Sequence, residues 1–169
     1  SSGIPVSDAC QVKYTGLQRH HLYRYIIFKI NAGDSEVVVD HRYRSNKSVG
    51  AGASEAAEST EGDEPGNTSN MECDSKTQEE VFADFVSHLP ENECRYAVFD
   101  GEFSKGEVTG NKIVFIAYSP DNSKIKQKML YASTKDALTK KLPGIFKNIQ
   151  INEFEELTLE NIQEKVGRI

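Results

Sequence analysis

Residues 45–76 divide the apolar content of this chain into two pieces that have to fold together. The stretch has no aromatic residue, and Val49 and Met71 are its only sizeable apolar side chains. Its Gly, Ser, Ala, Glu, Asn and Thr bury too little surface to offset the entropy of ordering. Only 44 residues precede it, too few for an independent core. The expected organisation is one domain over 1–169 with a disordered insertion at about 45–77. The insertion also dominates the charge. Glu55, Glu58, Glu61, Asp63, Glu64, Glu72 and Asp74 outweigh Lys47 and Lys76, so it holds −5 of the chain's −6 and leaves the folded part nearly neutral.

Outside that stretch the patterning predicts a mixed α/β (α+β) architecture. Residues 23–30 and 36–42 are strand-like, rich in Tyr, Ile, Phe and Val, with turn residues at 31–34. Residues 78–89 repeat apolar side chains at spacings of three and four (Val81, Phe82, Phe85, Val86, Leu89), which predicts an amphipathic helix ended by Pro90. Strands are expected at 94–103 and 112–118 around a turn, and a short one within 144–151. Helices are expected from Ser7 or Asp8 to about 18, at 122–142 and at 158–166. No apolar run approaches the roughly 18–20 residues that cross a bilayer, and no signal-peptide pattern opens the chain.

The helix at 122–142 is the most informative element. At about 100° per residue, Leu130, Tyr131, Thr134, Ala137, Leu138 and Leu142 form one core-facing stripe. Ile125 and Met129 fall on the opposite side, flanked by Lys126, Lys128, Lys135 and Lys140. An apolar centre with a charged rim is the make-up of an interface, and lysines steer an acidic partner. The wheel alone leaves two other readings open: a loop or the insertion covers the pair, or the pair is scattered surface apolarity.

Other chemistry finds little support. Cys10, Cys73 and Cys94 form no CxxC pair and read as reduced thiols. His20 and His21 are adjacent and cannot share a helix face, while His41 and His88 stand alone, so no metal site is expected. No nucleophile–base pair or phosphate-cradling Gly loop points to an enzyme, and no cofactor is indicated. The lysines lack arginine and outward aromatic residues in an acidic chain, which argues against nucleic acid.

Longer motifs carry a resemblance. The run 112–121 (KIVFIAYSPD), followed by 126–138 (KQKMLYASTKDAL), resembles the central signature of the actin-depolymerising factor/cofilin family. The runs 89–100 (LPENECRYAVFD) and 2–8 (SGIPVSD) are similar to other parts of it. The resemblance covers nearly all of the chain except about 45–77, and the N-terminal half is closer to plant-type members than to vertebrate ones. It implies the ADF-homology (gelsolin-like) fold, a central mixed sheet of five or six strands flanked by helices. It implies a monomeric, non-enzymatic protein of the cytoplasm and cytoskeleton that binds actin monomers and filaments and promotes severing and depolymerisation. The alternative is a binder mainly of monomers with weak severing.

By the same resemblance, the monomer-contacting surface comprises Ser2, Gly3, Ile4, Val6, Ile125, Lys126, Lys128 and Met129. The filament surface comprises Lys105, Lys112, Glu164, Lys165 and Arg168. Lys126, Lys128, Lys135, Lys140 and Lys141 are the candidates for phosphatidylinositol 4,5-bisphosphate at a membrane surface. Ser2 matches a regulatory phosphorylation site, where a phosphate would add about −1.5 to −2 charge. Two features depart from the family pattern: the insertion, and a hairpin whose only positive charges are Lys105 and Lys112.

Overall fold

In a computed structural model, residues 4–45, 77–107 and 109–167 are described. Nearly all of the expected insertion, together with Ser2, Gly3, Arg168 and Cys73, lies outside the described residues. Ser45 does not belong to the insertion. It is buried, and its N–H donates to the Leu22 carbonyl at 2.7 Å.

The order of elements is α1 (Asp8–His20), β1 (Tyr23–Ile30), β2 (Val37–Arg44), α2 (Gln78–Ser87), β3 (Arg95–Glu102), β4 (Asn111–Tyr118), α3 (Ile125–Thr139), β5 (Lys147–Ile151), a 3-10 turn (Phe154–Glu156) and α4 (Leu159–Gly167). The strands form one mixed sheet in the order β2-β1-β3-β4-β5. Neighbours from β2 to β4 are antiparallel, with short turns joining β1 to β2 and β3 to β4, whereas β4 and β5 are parallel. A parallel pair needs a crossover, which α3 supplies.

Helices cover both faces. On one face, Tyr14 and Leu17 of α1 and Tyr131 and Leu138 of α3 pack on Ile26, Phe28, Val98 and Phe115. On the other, Phe82 and Phe85 of α2 and Ile162 and Val166 of α4 pack on Tyr25, Ile27, Phe99 and Ile116. Burial of both faces explains why β1 and β3 read as nearly continuous apolar runs rather than alternating ones. Cys10 and Cys94 are buried thiols outside any disulfide.

Helix ends differ from expectation for local reasons. Helix α2 starts with a capping box: Thr77 Oγ1 accepts from the Glu80 N–H at 3.2 Å, and Glu80 Oε1 accepts from the Thr77 N–H at 3.0 Å. Helix α3 starts at Ile125 rather than 122, because Ser123 turns back to give both its N–H (3.0 Å) and its hydroxyl (2.6 Å) to the Pro120 carbonyl. Its C-terminus tightens into i→i−3 bonds, Lys141 N–H to Leu138 and Leu142 N–H to Thr139, and regular helix stops at Thr139.

Candidate functional site

Bonds along its inner side fix the rotation of α3 about its own axis. The entry loop is tied to the end of β5 by Ser119 N–H to the Ile151 carbonyl (2.8 Å) and Asp121 N–H to the Asn152 carbonyl (2.9 Å). Gln127 Oε1 accepts from the Cys94 N–H at 2.7 Å. The Tyr131 hydroxyl accepts from the Ile30 N–H at 2.9 Å, and Tyr96 donates its hydroxyl to the Tyr131 carbonyl. Burial pushes the Tyr131 phenol up to about 12, opposed by the Ile30 bond and the nearby Arg95, so the ring stays neutral. At the far end, the Tyr14 hydroxyl donates to the Pro143 carbonyl at 2.5 Å.

With the inner stripe held, the outer stripe is set. Ile125 is 75% exposed and Met129 67%, the two most exposed large apolar side chains among the described residues. They sit about one turn apart, roughly 6 Å along the axis. Nothing among the described residues covers them. Lys126 is exposed on one flank, and Lys124 is exposed at the start of the helix. Lys126 also lines a cleft of about 340 Å³ with Lys29, Lys124 and Arg95, opposed by Asp34 and Glu93. On the other flank Lys128 is half-buried, and its Nζ donates to the Asp121 carbonyl at 2.5 Å. Sequence reasoning missed Lys29, Lys124 and Arg95, because strand and helix residues meet there only in the fold.

The five lysines named as candidates for phosphatidylinositol 4,5-bisphosphate are spread along α3 and past its end and do not converge on one pocket. Lys126 and Lys128 lie about 160° apart around the helix, and Lys126 and Lys140 about 21 Å apart along it. Lys135 is half-buried, and Lys140 and Lys141 are exposed beyond the end of α3.

The N-terminal segment departs further from expectation. Ile4 is only 8% exposed and belongs to the core, and its N–H donates to Thr134 Oγ1 at 3.4 Å. Val6 is half-buried, packs on the same core and forms an isolated parallel bridge with Val37. Their side chains anchor the segment beside α3 rather than presenting it, and Pro5 is the exposed residue between them.

The second predicted surface joins the β3–β4 hairpin to α4. Gln163 makes the join: its Oε1 accepts from the Ser104 N–H at 3.0 Å and its Nε2 donates to the Ser104 carbonyl at 2.7 Å. This reciprocal latch was missed in the sequence, where a helix glutamine carries no signal of a partner 59 residues away. Glu164 is exposed, and Lys165, Lys105 and Lys112 are half-buried. The Lys112 ammonium is already engaged, donating to the Thr109 carbonyl at 3.3 Å and lying 5.3 Å from the centre of the Phe146 ring.

One expectation is overturned. His41 and His88, read as solitary, stack with ring centroids 3.6 Å apart and planes 17° from parallel. The i,i+4 pair Asp84 and His88 was visible in the sequence of α2; the contribution from β2 was not.

Comparison with known proteins places this geometry. A family profile described as cofilin/tropomyosin-type actin-binding protein matches residues 3–167. The chain is 38% identical to actophorin of Acanthamoeba castellanii over 167 residues, covering 99% of this chain and 97% of that protein. It is 35% identical to cofilin of Schizosaccharomyces pombe with the same coverage. Among solved structures, actin depolymerization factor 2 of Plasmodium berghei superposes with a TM-score of 0.74 at 28% identity, covering 99% of each chain.

Proposed function

This chain belongs to the cofilin and actin-depolymerising factor family, and from that premise we propose that it grips actin through the outer face of α3 and severs and depolymerises filaments. The family's proteins are actin-binding regulators rather than enzymes. The observation that carries the reading is the exposed pair Ile125 and Met129 with lysines on both flanks. An apolar centre that desolvates on contact supplies affinity, and the lysines supply orientation toward acidic actin surface. Pro5, beside α3, extends the same surface, and a phosphate on Ser2, three positions earlier in the sequence, would oppose docking. In this reading the protein is a monomeric single domain of the cytoplasm and cytoskeleton that carries 46–76 as an insertion.

The test is co-sedimentation and filament imaging with Lys126→Ala/Lys128→Ala. Both binding and cutting are expected to fall. Unchanged binding would remove α3 from the interface. A specific observation favours a second reading, a monomer binder with weak severing. Lys105 and Lys112, the hairpin's only positive charges, are half-buried and Lys112 is already engaged, which leaves the hairpin little free positive charge. Normal monomer affinity with few cuts would select it. The spread of Lys126, Lys128, Lys135, Lys140 and Lys141 suits a flat anionic surface better than a single headgroup. Vesicles containing phosphatidylinositol 4,5-bisphosphate should therefore compete with actin, whereas the soluble headgroup should not.

A further inference from the structure

On the sheet face opposite α3, three side chains with metal-ligating atoms converge. His41 lies on β2, and Asp84 and His88 lie one turn apart on α2. One ligand atom from each falls within 4.8 Å of the others. His41 is 4% exposed, and its buried Nε2 has no hydrogen-bond partner among the described residues. A buried imidazole nitrogen left unpaired costs about 1–3 kcal/mol, so an unmet ring nitrogen in a cluster with a second histidine and a carboxylate requires an explanation.

The surroundings are those of a ligand set. His88 Nδ1 lies 2.8 Å from the Asp84 backbone carbonyl. A ring N–H given to that carbonyl leaves Nε2 of His88 with the lone pair. The Tyr25 hydroxyl donates to Asp84 Oδ2 at 2.6 Å and holds the carboxylate in place. The stacked rings must turn before both can face one ion. The His88 side chain is 34% exposed, so its ring borders solvent on one side.

We propose that His41, Asp84 and His88 form a three-ligand site for a divalent transition-metal ion, with Zn2+ the best match. Two imidazoles and one carboxylate suit zinc, which takes His nitrogen at about 2.0–2.1 Å and leaves a fourth position for water. They do not suit Ca2+ or Mg2+, which take oxygen ligands. An ion here would join β2 to α2, the elements that flank residues 46–76. Closing so long a loop raises thermal stability. The site is on the other side of the sheet from the actin-facing helix, so metal binding and actin binding are separable.

The experiment is titration of the metal-free full chain with Zn2+ by calorimetry, with Co2+ as a spectroscopic stand-in. One saturable equivalent is expected, with a raised melting temperature and visible Co2+ bands of a nitrogen/oxygen site. His88→Gln and Asp84→Asn, partly exposed positions whose fold circular dichroism can verify, should each lose that equivalent. His41→Gln should do the same. The double variant His20→Gln/His21→Gln should keep it, which separates this site from surface histidines. Absence of a saturable equivalent in the full chain, or its persistence in folded His88→Gln, overturns the proposal.

Discussion

At Tyr131 the chain uses a phenol as an acceptor for backbone. The Ile30 N–H at the end of β1 has its bond to that oxygen, and both groups are buried. Tyr131→Phe keeps the ring packing but strands the N–H, and should destabilise the fold by about 1–3 kcal/mol in urea unfolding. His41 gives a second prediction of the same scale. Burial, with His88 and Arg42 adding to it and Asp84 and Asp40 opposing, lowers its pKa from 6.5 to about 4. Between those values the unfolded chain takes up a proton that the folded chain refuses. Stability from this residue is thus full above pH 6.5 and falls as pH drops toward 4, by on the order of 3 kcal/mol. Urea midpoints across that range, measured with chelator, should show the slope, and His41→Gln should flatten it. Residue exposure was only partly legible. The helical period was enough to turn Ile125 and Met129 outward, whereas Ile4 is buried by Thr134 and its neighbours, 130 positions away, which no local pattern reports.

Among the elements, the β3–β4 hairpin and α4 act as one body because Gln163 holds both backbone groups of Ser104. Gln163→Ala removes two bonds and should cost about 1–2 kcal/mol. It should also reduce filament cutting more than monomer binding, since α3 lies on the opposite sheet face; paired severing and monomer-affinity assays would show the split. Equal losses in both would mean that the hairpin and α3 are not independent. Element types were readable where periodicity is strong. Helix α2 repeats Val81, Phe82 and Phe85 and even spells its capping box from Thr77 to Glu80, and β1 and β3 are continuous apolar runs. Element ends were less readable. The start of α3 depends on Ser123 turning back to Pro120, a side-chain choice that competes with the helix itself.

For the molecule as a whole, a mixed sheet covered on both faces follows from two kinds of segment, apolar runs and one-sided helices. Strand order does not follow from them. The pairing of β1 with β3 spans residues 46–76, and the parallel β4–β5 pair depends on α3 crossing between them. The meeting of β2 with α2 at His41 and His88 is hidden for the same reason.

The isolated bridge between Val6 and Val37 has a consequence of its own. Strand β2 lies at an edge of the sheet, and the apolar run Val37–Val39 is part of it. Its first residue is not left open. The Val37 N–H donates to the Pro5 carbonyl at 2.9 Å, and the Val37 carbonyl accepts from the Ser7 N–H at 3.0 Å. An open, apolar edge strand is a template for pairing with another chain, so the N-terminal segment works as a guard against self-assembly. A chain shortened past Ser7 should form concentration-dependent oligomers in light scattering; a monodisperse truncated chain would show that the edge is defended elsewhere. A partner that drew the N-terminus away and unpaired Val37 would therefore expose this edge to a second chain.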